Sequence, residues 1–273
     1  MRIVVLGSSG TYPGPASACS GFLVTQGDTR LLIDCGTGVF ANLQTYLAGV
    51  HLTVKDLTGI VISHMHADHF LDLVPLRFAL QYGEHHFETP IPLYFPPGGR
   101  DIWERVVQPF DETKGSFSAP FRLLDYGGGQ ELRFGSLNMA TTLLRHYVPS
   151  YAMEITGKQR LVYSADCGPD PNLAKVARNA DLFVCEATWL KHEAPANERG
   201  HLTAREAGEV ARAAGVHRLL LTHVLPGDDA LGILRTAREA FGGEVSLAEV
   251  GQTYHVGEPA SGRVSRDWLQ ERD

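Results

Sequence analysis

Residues 59–62, Gly-Ile-Val-Ile, run without interruption into Ser63-His64-Met65-His66-Ala67-Asp68-His69. A short apolar run bounded in this way reads as a buried strand. Its end delivers three of the chain's 12 histidines and a carboxylate in one turn of chain. A solvated turn or a helix start collects polar residues too, but neither accounts for the alternation of His64 and His66. If His64 opens a loop, His64 and His66 can approach one metal ion while Asp68 and His69 face a neighbouring one. Neutral imidazole and carboxylate oxygen favour Zn²⁺, and Mn²⁺ or Fe²⁺ suit similar donors.

A scaffold for such a site is legible on both sides of it. Residues 2–7, 22–26 and 30–36 read as strands, with Gly27-Asp28 as the hairpin turn between the last two. Val39, Leu43, Tyr46, Leu47 and Val50 recur at helical spacing, which predicts an amphipathic helix ending near Gly49. In the second half, 161–166, 181–187 and 218–224 are strands that each run into a polar residue. Thr203 with Glu206 forms a capping box, opening a helix that stops at Gly215. Residues 81–130, rich in Gly and Pro, read as loops around one short helix that roof the site. Two successive strand-rich halves could each supply one sheet of a sandwich.

Bulk properties narrow the class. A length of 273 residues with 44% hydrophobic content supports one sizeable core, so a single domain over 1–273 is expected. The net charge of −7 gives no broad electrostatic grip on nucleic acid. Cys19, Cys35, Cys167 and Cys185 are scattered, without a CxxC pair, and read as reduced buried thiols. The N-terminal apolar run is too short for a signal peptide, and no stretch approaches the length of a membrane span. A soluble cytoplasmic protein, not bound to membrane, is the expectation. The glycine loop at 7–14 lacks the Gly-Lys-Ser/Thr ending of a nucleotide-binding P-loop, which argues against an ATPase.

Two metals need more ligands than the heptad holds. His146, Asp166 and His223 each lie where a strand runs out, although a lone His or Asp there is more often a turn former or a hydrogen-bonded partner. Their order along the chain carries the argument further. LGSSGTYPGP (6–15), LLIDCGTG (31–38), SHMHADH (63–69), RHYVPSYAMEI (145–155), YSADCGP (163–169), CEATW (185–189), HLTAREAGEVA (201–211) and LLLTHV (219–224) follow one another as in the metallo-β-lactamase superfamily. The chain most resembles its ribonuclease Z-like and cyclic-nucleotide phosphodiesterase-like branches, and the resemblance runs nearly the full length.

The resemblance implies an α/β fold, a four-layer αββα sandwich with two divalent ions at one edge of the sheets. Carried over residue by residue, His64, His66 and His146 would hold one ion, Asp68, His69 and His223 the other, and Asp166 would bridge them. Asp34 would orient a ligand from behind, or serve only as a strand-ending turn former. A metal-bridging hydroxide is then the nucleophile, and Asp68 an acceptor for its proton. In the family pattern His201, backed by Glu186, protonates the leaving group. That pair belongs to the phosphodiesterase branches and not to typical thioesterase-like relatives, which selects phosphate chemistry.

Departures from the family pattern bear on substrate. Ala165 and Cys167 flank Asp166 where Gly and Thr are usual, which puts the local hydrogen bonding of the aspartate in question. The tRNA-processing enzymes carry a long arm, in the better-known bacterial forms between the third motif and the bridging aspartate. Here residues 147–165 leave room for a hairpin only. The lead reading is therefore hydrolysis of a small phosphodiester such as a 3′,5′-cyclic nucleotide. tRNA 3′-end cleavage, with RNA as partner, is the alternative, and a lactone or thioester hydrolase ranks below it. Enzymes of this kind often pair, so a homodimer is expected by resemblance. His85 and His86 read as exposed loop histidines, and His51, His192, His217 and His255 receive no role.

Overall fold

The computed structural model describes residues 1–15, 17–83, 87–111 and 117–258. Its first half lays down β1 (Arg2–Gly7), β2 (Gly21–Gln26), β3 (Thr29–Ile33), β4 (Gly59–Val61), β5 (Ile91–Phe95) and β6 (Phe121–Asp125). Its second half supplies β7 (Glu131–Phe134), β8 (Leu137–Leu144), β9 (Ser150–Thr156), β10 (Arg160–Tyr163), β11 (Leu182–Glu186), β12 (Arg218–Thr222) and β13 (Glu244–Leu247). A last strand, β14 (Thr253–His255), crosses back to the first sheet. The sheets run β14-β1-β2-β3-β4-β5-β6 and β13-β12-β11-β10-β9-β8-β7. Each half of the chain thus forms one sheet, apart from the returning strand.

Both sheets are buried on two faces, which explains the near-continuous apolar runs in β1, β4, β11 and β12. Between the sheets Phe22, Val24, Ile33, Met153, Tyr163 and Val184 pack together. On the outer face of the first sheet lie α1 (Val39–Gly49), α2 (Ala67–Phe70), α3 (Leu73–Tyr82) and α4 (Gly99–Val107). On the outer face of the second lie α5 (Pro171–Val176), α6 (Ala204–Ala214) and α7 (Ala230–Phe241). Helix, sheet, sheet and helix stack as the expected αββα sandwich.

The capping box forms as read. The Thr203 hydroxyl accepts from the Glu206 backbone N–H, the Glu206 carboxylate accepts from the Thr203 N–H, and Gly215 ends α6 at φ 63°. The strands read over 30–36, 161–166 and 218–224 end earlier than their apolar patterning, because each releases its last residues to the site.

Residues 81–130 depart from the expectation of loops around one helix. The helix is α4, but β5 and β6 flank it and extend the first sheet in parallel register, Pro92 opposite Arg122 among the pairs. Pro90, Pro92, Pro96 and Pro97 obscure the strand signal, while burial of Ile91, Leu93 and Phe95 on alternate positions creates the strand. The described part of this region forms the edge of the first sheet, and the Tyr126 hydroxyl donates to Ile62 O at 2.7 Å beside the heptad. His85 and His86 lie outside the described residues.

Candidate metal centre

Every sequence-derived site residue converges on one edge of the sandwich, at the carboxyl ends of the strands, where open α/β folds place their ligands. β3 ends at Asp34 and β4 feeds the heptad, whose Asp68 and His69 sit on α2. β8, β10 and β12 release His146, Asp166 and His223, and β11 terminates in Glu186. Gly36 lets the loop after β3 lie against the heptad, since a Cβ there would come 1.9 Å from Asp68 O. Asp34, Ala165 and His223 adopt positive φ of 56°, 51° and 61°, strained values for residues other than glycine. For Ala165 this is the physical reason that glycine suits the position: the chain must turn left-handed to aim Asp166 inward.

The seven proposed ligands form two groups. Donor atoms of His64, His66, His146 and Asp166 lie within 4.8 Å of one another, as do those of Asp68, His69, Asp166 and His223. Asp166 belongs to both. Its Oδ2 stands 3.6 Å from His64 Nε2, 3.4 Å from His69 Nε2 and 3.0 Å from His223 Nε2. Yet His64 Nε2, His69 Nε2 and Asp166 Oδ1 are buried with no hydrogen bond of acceptable geometry. Unpaired buried polar atoms cost about 1–3 kcal/mol each. His146 Nε2 also faces His66 Nδ1 at 3.1 Å, between two rings whose pKa values burial lowers. Orphaned donors aimed at common points fit divalent cations.

The residues behind the ligands fix which nitrogen faces inward. His69 Nδ1 donates to Asp34 Oδ2 at 2.8 Å, and that carboxylate also accepts from the Ser63 backbone N–H and hydroxyl and from the Tyr163 hydroxyl. Asp34 is therefore both the turn former and the partner of a ligand. His146 Nδ1 donates to Gly200 O at 2.7 Å, and His223 Nδ1 pairs with the Thr188 hydroxyl at 2.9 Å. Such partners orient the ring and raise its basicity. The Thr11 backbone N–H donates to Asp68 Oδ2 at 2.8 Å, pinning the loop after β1 across the site.

Charge divides the two groups. Burial holds His64 well below the ordinary histidine range, lowers His66 and pushes His146 down to about 4. Burial acts on His69 and His223 in the same sense but loses to carboxylates: Asp166 and Asp34 raise His69 well above its ordinary value, and Asp166 and Asp68 raise His223 to about 10. Burial likewise opposes ionisation of Asp68, but the His223 hydrogen bond and the His69 charge bring it to about 2. Asp166 is held well below the carboxylate range by the same two imidazoles, against its own burial.

Beside the second group, Glu186 Oε1 accepts from His201 Nδ1 at 3.0 Å and from the Cys167 backbone N–H, while Oε2 accepts from the Leu202 N–H and the Thr188 hydroxyl. Four donors saturate this carboxylate, so the cluster of Glu186, His201 and His223 is a hydrogen-bonded acid and its partner, with no lone pair to spare for a cation. Burial opposes protonation of His201, but the Glu186 charge and hydrogen bond raise its pKa. Cys167 is packed in the outer core, where burial drives its thiol pKa up, and it belongs to none of the donor groups found among the described residues.

Sequence reasoning passed over Thr188, Tyr163 and the aromatic residues at the rim. Thr188 stood in the quoted CEATW segment, two residues after Glu186, a spacing that keeps both side chains on one face of an extended chain. Tyr163 carried no signal, because it reads as one more core residue of β10.

A model of the beta-lactamase superfamily domain matches residues 29–224. An uncharacterized protein of Mycobacterium leprae is 34% identical, over 95% of this chain and 90% of its own. The probable metallo-hydrolase YhfI of Bacillus subtilis is 31% identical, over 92% of this chain and 98% of its own. The YhfI crystal structure superimposes with a TM-score of 0.77 at 30% identity, covering 93% of this chain and 98% of that one. A ribonuclease Z of Haloferax volcanii is 29% identical, over 94% of this chain and 95% of its own. The chain belongs to the beta-lactamase superfamily, with the metallo-β-lactamase fold and relatives that are metal-dependent hydrolases.

Proposed function

We propose that this beta-lactamase superfamily member is a dinuclear-metal phosphodiesterase acting on a small phosphodiester, with a 3′,5′-cyclic nucleotide as the lead substrate. The observation that carries the reading is the Glu186–His201 pair, 3.0 Å apart, with the His201 ring 5.2 Å from that of His223. The thiolate of a thioester has less need of a dedicated proton donor than an alkoxide leaving phosphorus, because a thiol is far more acidic than an alcohol. The ribonuclease Z relatives also act by family name on a phosphodiester backbone.

In this reading His64, His66 and His146 hold one divalent ion, Asp68, His69 and His223 the other, and Asp166 contributes to both; Zn²⁺ suits the donors best, and Mn²⁺ or Fe²⁺ fit them too. When bound, the ions offset charge on phosphoryl oxygens and lower the pKa of a water. With the ions bound, Asp68 would take up the proton of an activated water, its carboxylate held in place by the Thr11 N–H. Glu186 holds Nδ1 of His201, so the Nε2 proton is the one available to the leaving oxygen. The raised pKa keeps that proton on the ring near neutral pH.

Precursor tRNA is the second reading, favoured by the ribonuclease Z relatives. Against it, residues 150–163 are taken up by β9 and β10, and the net charge is −7. A cytoplasmic homodimer completes the proposal. Among the described residues no helix is long and apolar enough to cross a membrane, and the four cysteines are buried and free. The deciding experiment is an activity screen over cyclic nucleotides, dinucleotides, precursor tRNA and a lactone, with metal content and light scattering measured on the same sample. Turnover of the lactone alone, unaffected by His201→Ala, would overturn the phosphate reading.

A further inference from the structure

The rings around His201 carry a second message. Tyr147 follows the ligand His146 directly and is 61% exposed, yet its ring is not adrift. Its centroid lies 5.2 Å from His146 and 5.8 Å from His201, and its edge rests on Gly200, where a Cβ would come 2.5 Å from Cε2. Only glycine at 200 lets the tyrosine lie down in this way. Trp189 also sets its ring 5.3 Å from His201, at 82°. The backbone of Trp189 is locked to the His201 segment, its N–H donating to Leu202 O and its carbonyl accepting from the Ala204 N–H. His192 lies against the indole, its ring tilted by 40° with centroids 4.1 Å apart and its Nδ1 accepting from the Ala194 N–H.

We propose that Tyr147 and Trp189, the latter backed by His192, form a subsite for the nucleobase of a nucleotide substrate. The inference rests on the reading of His201 as proton donor to the leaving oxygen: both rings neighbour the donor ring, so they border the space for the sugar and base that carry that oxygen. Partly exposed aromatic rings, held in place by the backbone beside a polar centre, offer π-faces that every base can stack on, with affinity that does not depend on basic residues. A chain of net charge −7 needs such a source of affinity. The subsite also tells a cyclic nucleotide from a base-free phosphodiester, a distinction that the metal ligands cannot make.

The test is binding of adenosine 5′-monophosphate and of ribose 5-phosphate, which share the phosphate and sugar and differ by the base, to the zinc-loaded protein by calorimetry. Wild type should bind the nucleotide about tenfold or more tightly than the sugar phosphate. Tyr147→Ala/Trp189→Ala should lose that preference while keeping the wild-type affinity for ribose 5-phosphate. Tyr147→Phe and Trp189→Phe, which preserve the faces, should retain it. Equal or undetectable binding of the two ligands by wild type, or a preference that survives the double substitution, would overturn the subsite. Failure of the phosphodiesterase reading would show separately, as absence of turnover on every phosphodiester whatever the binding preference.

Discussion

Burial lowers the pKa values of His64, His66 and His146, whereas the carboxylates of Asp166, Asp34 and Asp68 raise those of His69 and His223, across Asp166. The rings of the first group lean on uncharged partners, the Ser63 hydroxyl and the Gly200 carbonyl. The second group is built among carboxylates that attract a proton wherever a metal is not supplied. One group is thus ready for a cation at neutral pH, while the other must release protons to take one.

Removing the shared residue should erase the difference altogether. Asp166→Ala is expected to lower affinity at both groups by more than about 100-fold and to abolish activity, read as metal content by mass spectrometry. Two ions retained at full occupancy would contradict the shared role. Glu186→Gln should leave both groups loaded yet reduce kcat by about 10²- to 10³-fold. Glu186 raises the His201 pKa, so wild type keeps its donor protonated above the ordinary histidine value of about 6.5. The substitution should therefore move the alkaline limb of the kcat profile to lower pH, and an unmoved limb would remove His201 from the proton transfer.

Asp34→Asn separates the groups, because Asp34 touches His69 and no member of the first group. Affinity at the second group should fall about 10- to 100-fold with the first unchanged, measured by competition with a chelator. The smallest effect is one of slope. In His146→Ala, which leaves the second group intact, metal affinity should rise between pH 6 and pH 8 by roughly tenfold per unit for each proton displaced. In His223→Ala, which leaves the first, it should stay nearly flat, since His146, at about 4, and its neighbours are already neutral there. Parallel slopes would show that the two groups do not differ in charge as described.

The heptad made the site readable because it is local: four donors follow one strand, and β4 with α2 needs only a turn to present them. The capping box at Thr203 and Glu206 was readable for the same reason, two hydrogen bonds within four residues. Residues 91–95 and 121–125 were not, because four prolines mask a strand that exists only through burial against neighbouring strands. Trp189 had no sequence signal for its place beside His201, since a ring neighbour is defined across the segment after β11 and the loop before α6.

The amino-acid sequence alone determined which residues are proposed to carry the chemistry and the strands that lead to them, because hydrophobic period and residue type act over short stretches of chain. Tertiary structure alone decided that histidine pKa values are lowered on one side of Asp166 and raised on the other. Burial and the distance to a carboxylate set a pKa, and both arise only when His146, Asp166 and His223 are brought to the heptad from the ends of β8, β10 and β12.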